Sequence, residues 1–200
     1  SSAASDVYKR QCWVCLAEWS PNGSKIAYVY QDLDKGLSYI GLTNNDWSNA
    51  GMIISVVNGN YQLQWRNNNE LIYYGLPSDP SSTDIDLVNV STKKGKTLLR
   101  NIVPSSVKVS LNGKLLSAQD YSTRERNIYN LGSNSVSLMG KGLWKNIKIT
   151  DVIWFNDSTH LLGTEIDDKG YAKQLWYLPV DSTEKIKVIT FNSAQTHPTP

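Results

Sequence analysis

The residues of this chain that could carry out chemistry are few and far apart. Cys12 and Cys15 form a C-x-x-C pattern, which supplies half of a zinc site or a redox pair in a suitable fold. The sequence holds no second pair, and positions three apart on a strand lie on opposite faces of a sheet. The pattern favours buried or incidental cysteines, with a disulfide, a metal site and redox chemistry as the alternatives.

Histidine and serine give no stronger indication of a catalytic site. The histidines are His160 and His197, and the chain has no G-x-S-x-G sequence, which is the turn that presents the nucleophile of an α/β hydrolase. His160 lies at a turn in WFNDSTHLL, where we expect a structural role. The sequence predicts no catalytic residue, and we expect a chain that is not an enzyme.

Two acidic turns have residue types that bind calcium. Asp32, Asp34 and Lys35 lie in QDLDKG, and Asp167 and Asp168 lie in IDDKG. Neither turn has the longer series of oxygen ligands found in an EF-hand loop. Solvated turns are the simpler interpretation, and we predict no metal and no cofactor.

Charge and composition exclude two classes of partner. The formal net charge is only +2, and basic residues are mixed with acidic ones, which argues against nucleic acid. No apolar run approaches the roughly 20 residues that span a bilayer. Seven Trp and eleven Tyr against two Phe, with many Val, Ile, Asn and Gly, indicate short strands joined by tight turns.

A segment of about 45 residues recurs four times, and its copies begin AEWSPNGSKIAYV, LQWRNNNELIYYG, VKVSLNGKLLSAQ and VIWFNDSTHLLGT. Equivalent positions are Trp19, Trp65, Val109 and Trp154, at spacings of 46, 44 and 45 residues. Each copy has a third strand, namely LSYIGL, DIDLVNV, NIYNL or QLWYLPV. A fourth strand follows in three copies as GMIISV, KTLLR or KIKVIT.

This period predicts an all-β chain: a β-propeller fragment of about four blades, each a four-stranded antiparallel sheet. We place the repeats near 12–56, 57–101, 102–145 and 146–190, and 191–200 leads into a further blade. We expect the repeated Trp to pack between blades, with ligand stacking as the alternative. Four unclosed blades would leave two faces exposed.

The first copy, AEWSPNGSKIAYV followed by LSYIGLTN, resembles the WSPDGxxIAFV...IYVMD pattern of TolB-like or WD40-like (PD40) propeller repeats. These repeats also occur in the propeller of dipeptidyl-peptidase IV type peptidases. The resemblance implies a ring of roughly six to eight blades, monomeric when complete, in a bacterial protein of the periplasm, cell envelope or secreted fraction. Later copies depart from the pattern, as at Arg66, Asn67 and Val109.

Residues 1–11, SSAASDVYKRQ, resemble one reading frame of a common transposase sequencing adapter at all eleven positions. We therefore treat 1–11 as a non-native tail and exclude it from fold reasoning. On this interpretation the native N-terminus is missing, and the lack of a signal peptide carries no information.

Propeller geometry places the loops between second and third strands on one face, together with the loops that join blades. Variable loops on a regular scaffold are typical of a binding surface, with ordinary solvated loops as the alternative. The candidate binding residues are Asp32, Asp34, Lys35, Tyr121, Arg124, Glu125, Arg126, Asp167, Asp168 and Tyr171.

The leading hypothesis is a propeller that binds a protein, peptide or other polymer through this loop face. The first alternative is the non-catalytic propeller of a prolyl-oligopeptidase or dipeptidyl-peptidase type serine hydrolase. The second is a carbohydrate-binding propeller that uses loop aromatics such as Tyr121 and Tyr171.

Overall fold

Sixteen strands make up most of the part of the chain that the structure describes. The computed structural model describes residues 13–32, 35–57, 59–76, 81–132, 135–140, 149–181 and 186–190. Within these ranges there is no α-helix, and one 3₁₀ turn spans Pro104–Ser106. No helix in this part of the chain is long and apolar enough to cross a membrane. The predicted all-β class is confirmed.

The strands form four antiparallel sheets of four strands, each in simple chain order. Sheet 1 contains β1 Trp13–Trp19, β2 Lys25–Asp32, β3 Leu37–Asn44 and β4 Gly51–Val57. Sheet 2 contains β5 Asn60–Asn67, β6 Glu70–Leu76, β7 Thr83–Asn89 and β8 Gly95–Ile102. Sheet 3 contains β9 Lys108–Val109, β10 Leu115–Gln119, β11 Arg126–Leu131 and β12 Val136–Gly140. Sheet 4 contains β13 Ile149–Trp154, β14 His160–Ile166, β15 Ala172–Pro179 and β16 Ile186–Thr190.

The third copy also has a fourth strand, which the sequence did not reveal. It is β12, Val136–Gly140, and it pairs with β11. Its sequence, VSLMG, is short and leaves Leu138 and Met139 about half exposed, so the apolar alternation that marks a half-buried strand is weak.

The chain divides into two compact units, Ser1–Arg100 and Asn101–Pro200. The first unit holds sheet 1 and nearly all of sheet 2, and the second holds sheets 3 and 4. Each unit therefore shows one packing of a sheet against its neighbour in the chain.

The first hairpins of sheets 1 and 3 are closed by the same hydrogen-bond pattern. In sheet 1 the Gly23 amide donates to the Ser20 carbonyl at 2.8 Å, and the Ser20 hydroxyl accepts from the Lys25 amide at 3.0 Å. Sheet 3 repeats this with Gly113 and Ser110 at 2.9 Å. Both glycines have a φ near +68°, at +67° and +69°, a region that L side chains avoid. The S-x-N-G sequence thus sets the turn.

An indole hydrogen bond joins neighbouring sheets in both units. In the first unit the Nε1–H of Trp65 donates to the carbonyl of Glu18 at 3.0 Å. In the second unit the Nε1–H of Trp154 donates to the carbonyl of Lys108 at 2.9 Å. Glu18 and Lys108 occupy equivalent repeat positions, one residue before Trp19 and Val109, so one contact is made twice.

Apolar side chains fill the space around these indoles. In the first unit Ala27, Val29 and Ile40 of sheet 1 meet Leu63 and Leu71 of sheet 2, and all are fully buried. Burying such a branched side chain stabilises the fold by about 1.5–3 kcal/mol. The corresponding cluster of the second unit is built from Ile128, Val152, Trp154, Leu161 and Leu178.

The expectation that the repeated Trp packs between sheets holds for Trp65 and Trp154 but fails for Trp19. Trp19 is 57% exposed, whereas Trp154 is 8% exposed. Trp19 pairs with Ile26 and therefore lies on the face of sheet 1 opposite to Ala27 and Val29, which pack against sheet 2.

Candidate functional site

The first unit contains an open cleft between sheets 1 and 2. It lies toward the edge where β2 turns into β3 and where β4 leads into β5, and its volume is about 460 Å³. Its lining combines aliphatic, aromatic and polar side chains: Leu37, Ile54, Ser55, Val56, Tyr61, Tyr73 and Asp86. This edge is the one predicted to carry the binding face.

Two tyrosine rings form one wall of the cleft. Tyr61 and Tyr73 lie on adjacent strands, with ring centroids 6.5 Å apart and planes inclined at 49°. Tyr73 is only 7% exposed, and burial raises the pKa of its phenol to about 12, with a further contribution from the nearby carboxylate of Asp86. Burial and Asp86 also raise the pKa of Tyr61. Both phenols therefore stay neutral at physiological pH.

Asp86 gives the cleft a negative charge. Its Oδ1 accepts a hydrogen bond from the Thr97 hydroxyl at 2.7 Å. Two residues earlier on the same strand, Asp84 instead pairs with the guanidinium of Arg100 at 2.8 Å. No Lys, Arg or His lines the cleft, so within the described structure Asp86 is bonded to a hydroxyl and not to a cation.

The linker between β4 and β5 is held in place by two side chains of sheet 1. The Ser38 hydroxyl donates to the Gly59 carbonyl at 3.0 Å and accepts from the Gly59 amide at 3.1 Å. The Gln31 amide group donates to the same carbonyl at 3.1 Å. These bonds fix the entry of β5, and hence the position of Tyr61 in the cleft wall.

The β2–β3 turn beside this edge carries the first group of predicted residues. The Lys35 ammonium pairs with Asp32 at 3.1 Å, and its amide also bonds that carboxylate. This contact raises the pKa of Lys35. Such an exposed pair contributes little stability and leaves Lys35 reachable from solvent. Asp34 lies outside the described residues.

In the second unit the β10–β11 turn brings together three of the predicted residues. The Arg124 guanidinium lies 4.5 Å from the centre of the Tyr121 ring, a cation–π contact. Arg124 has a φ of +59°, and its carbonyl accepts from the Gln119 side chain at 2.6 Å. Glu125 follows in the same turn and is partly exposed.

One of the two aspartates in the β14–β15 turn stabilises the turn through hydrogen bonds to its backbone. The Asp167 carboxylate accepts the amides of Lys169 at 2.8 Å and Tyr171 at 2.9 Å. Asp168 is exposed and Tyr171 is 55% exposed. No group of three or more potential metal ligands occurs in the described part of the chain.

Arg126 was predicted to lie on the loop surface, and the structure corrects this. It is the first residue of β11 and is only 5% exposed. Its guanidinium donates at 3.1 Å to the Ser106 carbonyl and at 3.1 Å to the Ser117 hydroxyl. Burial lowers its pKa to about 10. Arg126 is an internal residue of the second unit and is removed from the exposed candidates.

Solved structures share this arrangement of sheets. TolB from Acinetobacter baumannii is 14% identical over 90% of this chain and 44% of its own, with a TM-score of 0.62. The β-propeller domain of the trilobed protease from Pyrococcus furiosus is 15% identical over 88% and 56%, with a TM-score of 0.58. This chain has the β-propeller fold. An oligogalacturonate lyase from Vibrio parahaemolyticus shares it at 10% identity over 90% and 55%, with a TM-score of 0.67.

The propeller likeness is one of fold. No family model and no curated protein matches the chain. The chain spans about half the length of the TolB and lyase structures it matches, and its four sheets correspond to about four blades. The neighbours include TolB and a protease propeller, in agreement with the resemblance seen in the repeats.

The cysteines and His160, which the sequence also offered as reactive residues, do not form a catalytic site in the described part of the chain. Cys12 lies outside the described residues, as does the Cys15 side chain. His160 bonds the Asp157 carboxylate through Nδ1 at 2.6 Å and stacks on Tyr177 with centroids 4.5 Å apart. Since Asp157 and His160 belong to the hairpin turn of the fourth blade, the expected structural role of His160 agrees with its contacts.

Sequence reasoning missed the cleft residues Tyr61, Tyr73 and Asp86. One signal was present in DIDLVNV, because aspartate is disfavoured in strands and β7 contains Asp84 and Asp86 on one face. An aspartate within a strand that packs among apolar residues indicates a polar site that is partly enclosed.

Proposed function

We propose that this chain is part of a non-enzymatic β-propeller that binds a polypeptide through the face formed by its second-to-third strand loops. The observation that carries the proposal is the cleft between the first two blades, at the edge of those loops. The loops between second and third strands add polar and aromatic side chains to the same edge of their own blades, namely Asp32, Lys35, Tyr121, Arg124, Asp167 and Tyr171.

The chemistry of the cleft selects a basic side chain of the bound polypeptide. Asp86 supplies a carboxylate without a cationic partner among the cleft residues, and the Tyr61 and Tyr73 rings supply aromatic surface. A Lys or Arg stem would pack on Leu37 and Val56 while its charged end approaches Asp86. A cation–π contact contributes about 0.5–2 kcal/mol, and a charge-assisted hydrogen bond about 1.5–3 kcal/mol.

The test is fluorescence anisotropy with a labelled peptide that has one Arg between apolar residues, and a second peptide with Gln at that place. We expect the Arg peptide to bind the chain more tightly, and Asp86→Asn to reduce its affinity about tenfold or more. Asp84→Asn is the matched control, because it removes an equal charge from the same strand at a residue outside the cleft lining.

Equal binding of the two peptides, or equal losses in Asp86→Asn and Asp84→Asn, contradicts the basic-side-chain assignment. Failure of the chain to bind any peptide from a mixed library contradicts polypeptide binding itself. Circular dichroism of both variants checks that their blades are intact.

A second candidate is the non-catalytic propeller of a serine peptidase. The observation in its favour is the likeness to the propeller of the trilobed protease. The two proposals separate on the coding sequence of the source: an α/β domain with G-x-S-x-G in the same reading frame supports the peptidase and contradicts a binding-only protein.

A third candidate is carbohydrate binding through Tyr121 and Tyr171. The likeness to an oligogalacturonate lyase and the exposure of Tyr171 favour it. Oligogalacturonate titrated against wild type and Tyr171→Ala tests it, and an affinity that does not change in the variant contradicts it. For the polypeptide-binding propeller we also propose an extracytoplasmic location, which the resemblance to TolB-like repeats implies.

A further inference from the structure

The last strand of sheet 1 borders the cleft with its main chain. Ile54 and Val56 pack against the buried cluster between sheets 1 and 2. Ser55 lies between them and pairs with Tyr39, so its side chain points to the opposite face of the sheet. All three residues of β4 nevertheless line the cleft. Ser55 can do so only through its main chain, and one wall of the cleft is therefore strand backbone.

The strand β4 is paired on one side only. It pairs with β3 and ends the strand order of sheet 1. On its other side, the amides and carbonyls of alternate residues have no partner strand in the described part of the chain. Propeller blades pack through their faces, and the last strand of each blade lies at the perimeter of the ring. A further blade before sheet 1 would cover its face and would leave this side of β4 open.

The open side of β4 begins at a defined residue. Ile53 is an extra residue in the pairing with β3, and such a β-bulge interrupts a strand ladder. Just before it, the Met52 carbonyl accepts a hydrogen bond from the Lys93 ammonium of sheet 2 at 3.0 Å. The part of β4 that is available to another strand therefore starts after the bulge. We call these residues, Ile54–Val56, the open segment.

The sequence of β4 also lacks the residues that keep the last strand of a sheet from pairing with other chains. Charged side chains, especially lysine, and proline prevent such pairing. The last strand of sheet 2 is β8, GKTLLRNI, which carries Lys96 and Arg100. In contrast β4 is GMIISVV and has neither a charge nor a proline. Of these two strands, only β4 is suited to accept a further strand.

We infer that the polypeptide bound in the cleft adds to the open segment as an extended, antiparallel strand. This inference rests on the proposed function and specifies the conformation and the sequence pattern of the partner. In this mode of recognition main-chain hydrogen bonds give affinity, and side chains at alternate positions give specificity.

The alternation of side chains along the added strand determines which of its residues the cleft selects. Partner residues beside Ile54 and Val56 face the cleft, and one of them carries the basic group toward Asp86. The partner residue between them lies beside Ser55 and points away from the cleft. The expected pattern is therefore a basic and an apolar residue two positions apart, with an unselected residue between them.

The experiment is an N-methyl scan of the Arg peptide, measured by fluorescence anisotropy with the whole chain. Each peptide of the series has one main-chain amide methylated, which removes that N–H and leaves the side chains and the charge unchanged. Only alternate amides of an antiparallel strand bond the strand beside it. We expect affinity losses of about fivefold or more at every second amide near the Arg, and changes within about twofold at the amides between them. The intervening amides are the matched controls.

The outcomes of the scan separate this inference from the proposed function. An Arg peptide may keep its dependence on Asp86 while it loses affinity equally at successive amides, or at none of them. Either result overturns strand addition and leaves recognition of a basic side chain standing. Failure of the unmethylated Arg peptide to bind overturns both.

Discussion

Replacing Trp by Phe at the three repeat positions that carry Trp should destabilise the chain at Trp65 and Trp154 but hardly at Trp19. Trp154→Phe removes the N–H that bonds the Lys108 carbonyl at 2.9 Å, in a side chain that is 8% exposed. A net hydrogen bond contributes about 0.5–1.5 kcal/mol, and an unsatisfied buried carbonyl costs about 1–3 kcal/mol. With a small cavity added, we expect a loss of about 1–3 kcal/mol in the free energy of unfolding.

The same reasoning predicts a loss of similar size for Trp65→Phe and almost none for Trp19→Phe. Trp65 bonds the Glu18 carbonyl at 3.0 Å from a partly buried position, whereas Trp19 is 57% exposed. Exposed substitutions away from special contacts usually change stability by no more than about 0.5 kcal/mol.

Urea unfolding followed by far-ultraviolet circular dichroism measures these losses, because the peptide backbone and not the removed indole dominates that signal. Each kcal/mol should lower the melting temperature by about 2–4 °C for a chain of this size. A loss for Trp19→Phe as large as that for Trp154→Phe would refute the assignment of the indole bond as the blade-joining contact.

Three further predictions concern the core and the titrating groups. Gly163→Ala should destabilise the second unit by about 1–3 kcal/mol, measured by urea unfolding, because a Cβ there would lie 2.7 Å from Leu178 and 3.0 Å from Ile149; Gly51→Ala, whose added Cβ meets nothing within 4 Å, is the control. Burial raises the pKa of Tyr73 from 10.0 to about 12, so the stability that the buried neutral phenol contributes is complete below pH 10 and is lost as the pH rises toward 12. The Tyr73→Phe variant should therefore lose less stability than the wild type over that range. A variant with the same pH profile as the wild type contradicts the raised pKa of Tyr73. The Thr159 amide and the His160 ring hold the pKa of Asp157 below 3.8. The stability that the Asp157 carboxylate contributes is therefore present above that pH and is lost as the pH falls through the lowered pKa of the folded chain. In Asp157→Asn the free energy of unfolding should fall less steeply at acid pH, and a fall as steep as that of the wild type contradicts this prediction.

The architecture was predictable because the residues that define each repeat and its turns can be recognised in the sequence itself. Trp19, Trp65, Val109 and Trp154 recur at nearly equal spacing, and S-x-N-G turns fix the first hairpin with glycines at positive φ. Each strand and each turn is determined by a few neighbouring residues, so the sequence pattern is sufficient to predict it. The weak strand β12 was missed because its apolar residues remain about half exposed, which removes the alternation on which strand prediction rests.

The candidate site was less predictable, because it depends on how two blades meet. Tyr61 and Asp86 are distant in sequence, and only the packing of β5 to β7 against sheet 1 brings them into one cleft. Arg126 was misplaced for a related reason: its sequence neighbours Arg124 and Glu125 are turn residues, but β11 begins at Arg126 and carries it inward. A basic residue at the edge of a turn does not reveal from sequence which side of that boundary it occupies.

The most direct test of the central claim is amide hydrogen exchange of the chain with and without a bound Arg-containing peptide. Binding through the proposed face predicts slower exchange at Leu37, at Ile54–Val56 and at Tyr61, which line the cleft, and no change at the Ser20–Lys25 turn on the opposite edge. Protection confined to the Ser20–Lys25 and Ser110–Leu115 turns would contradict the account.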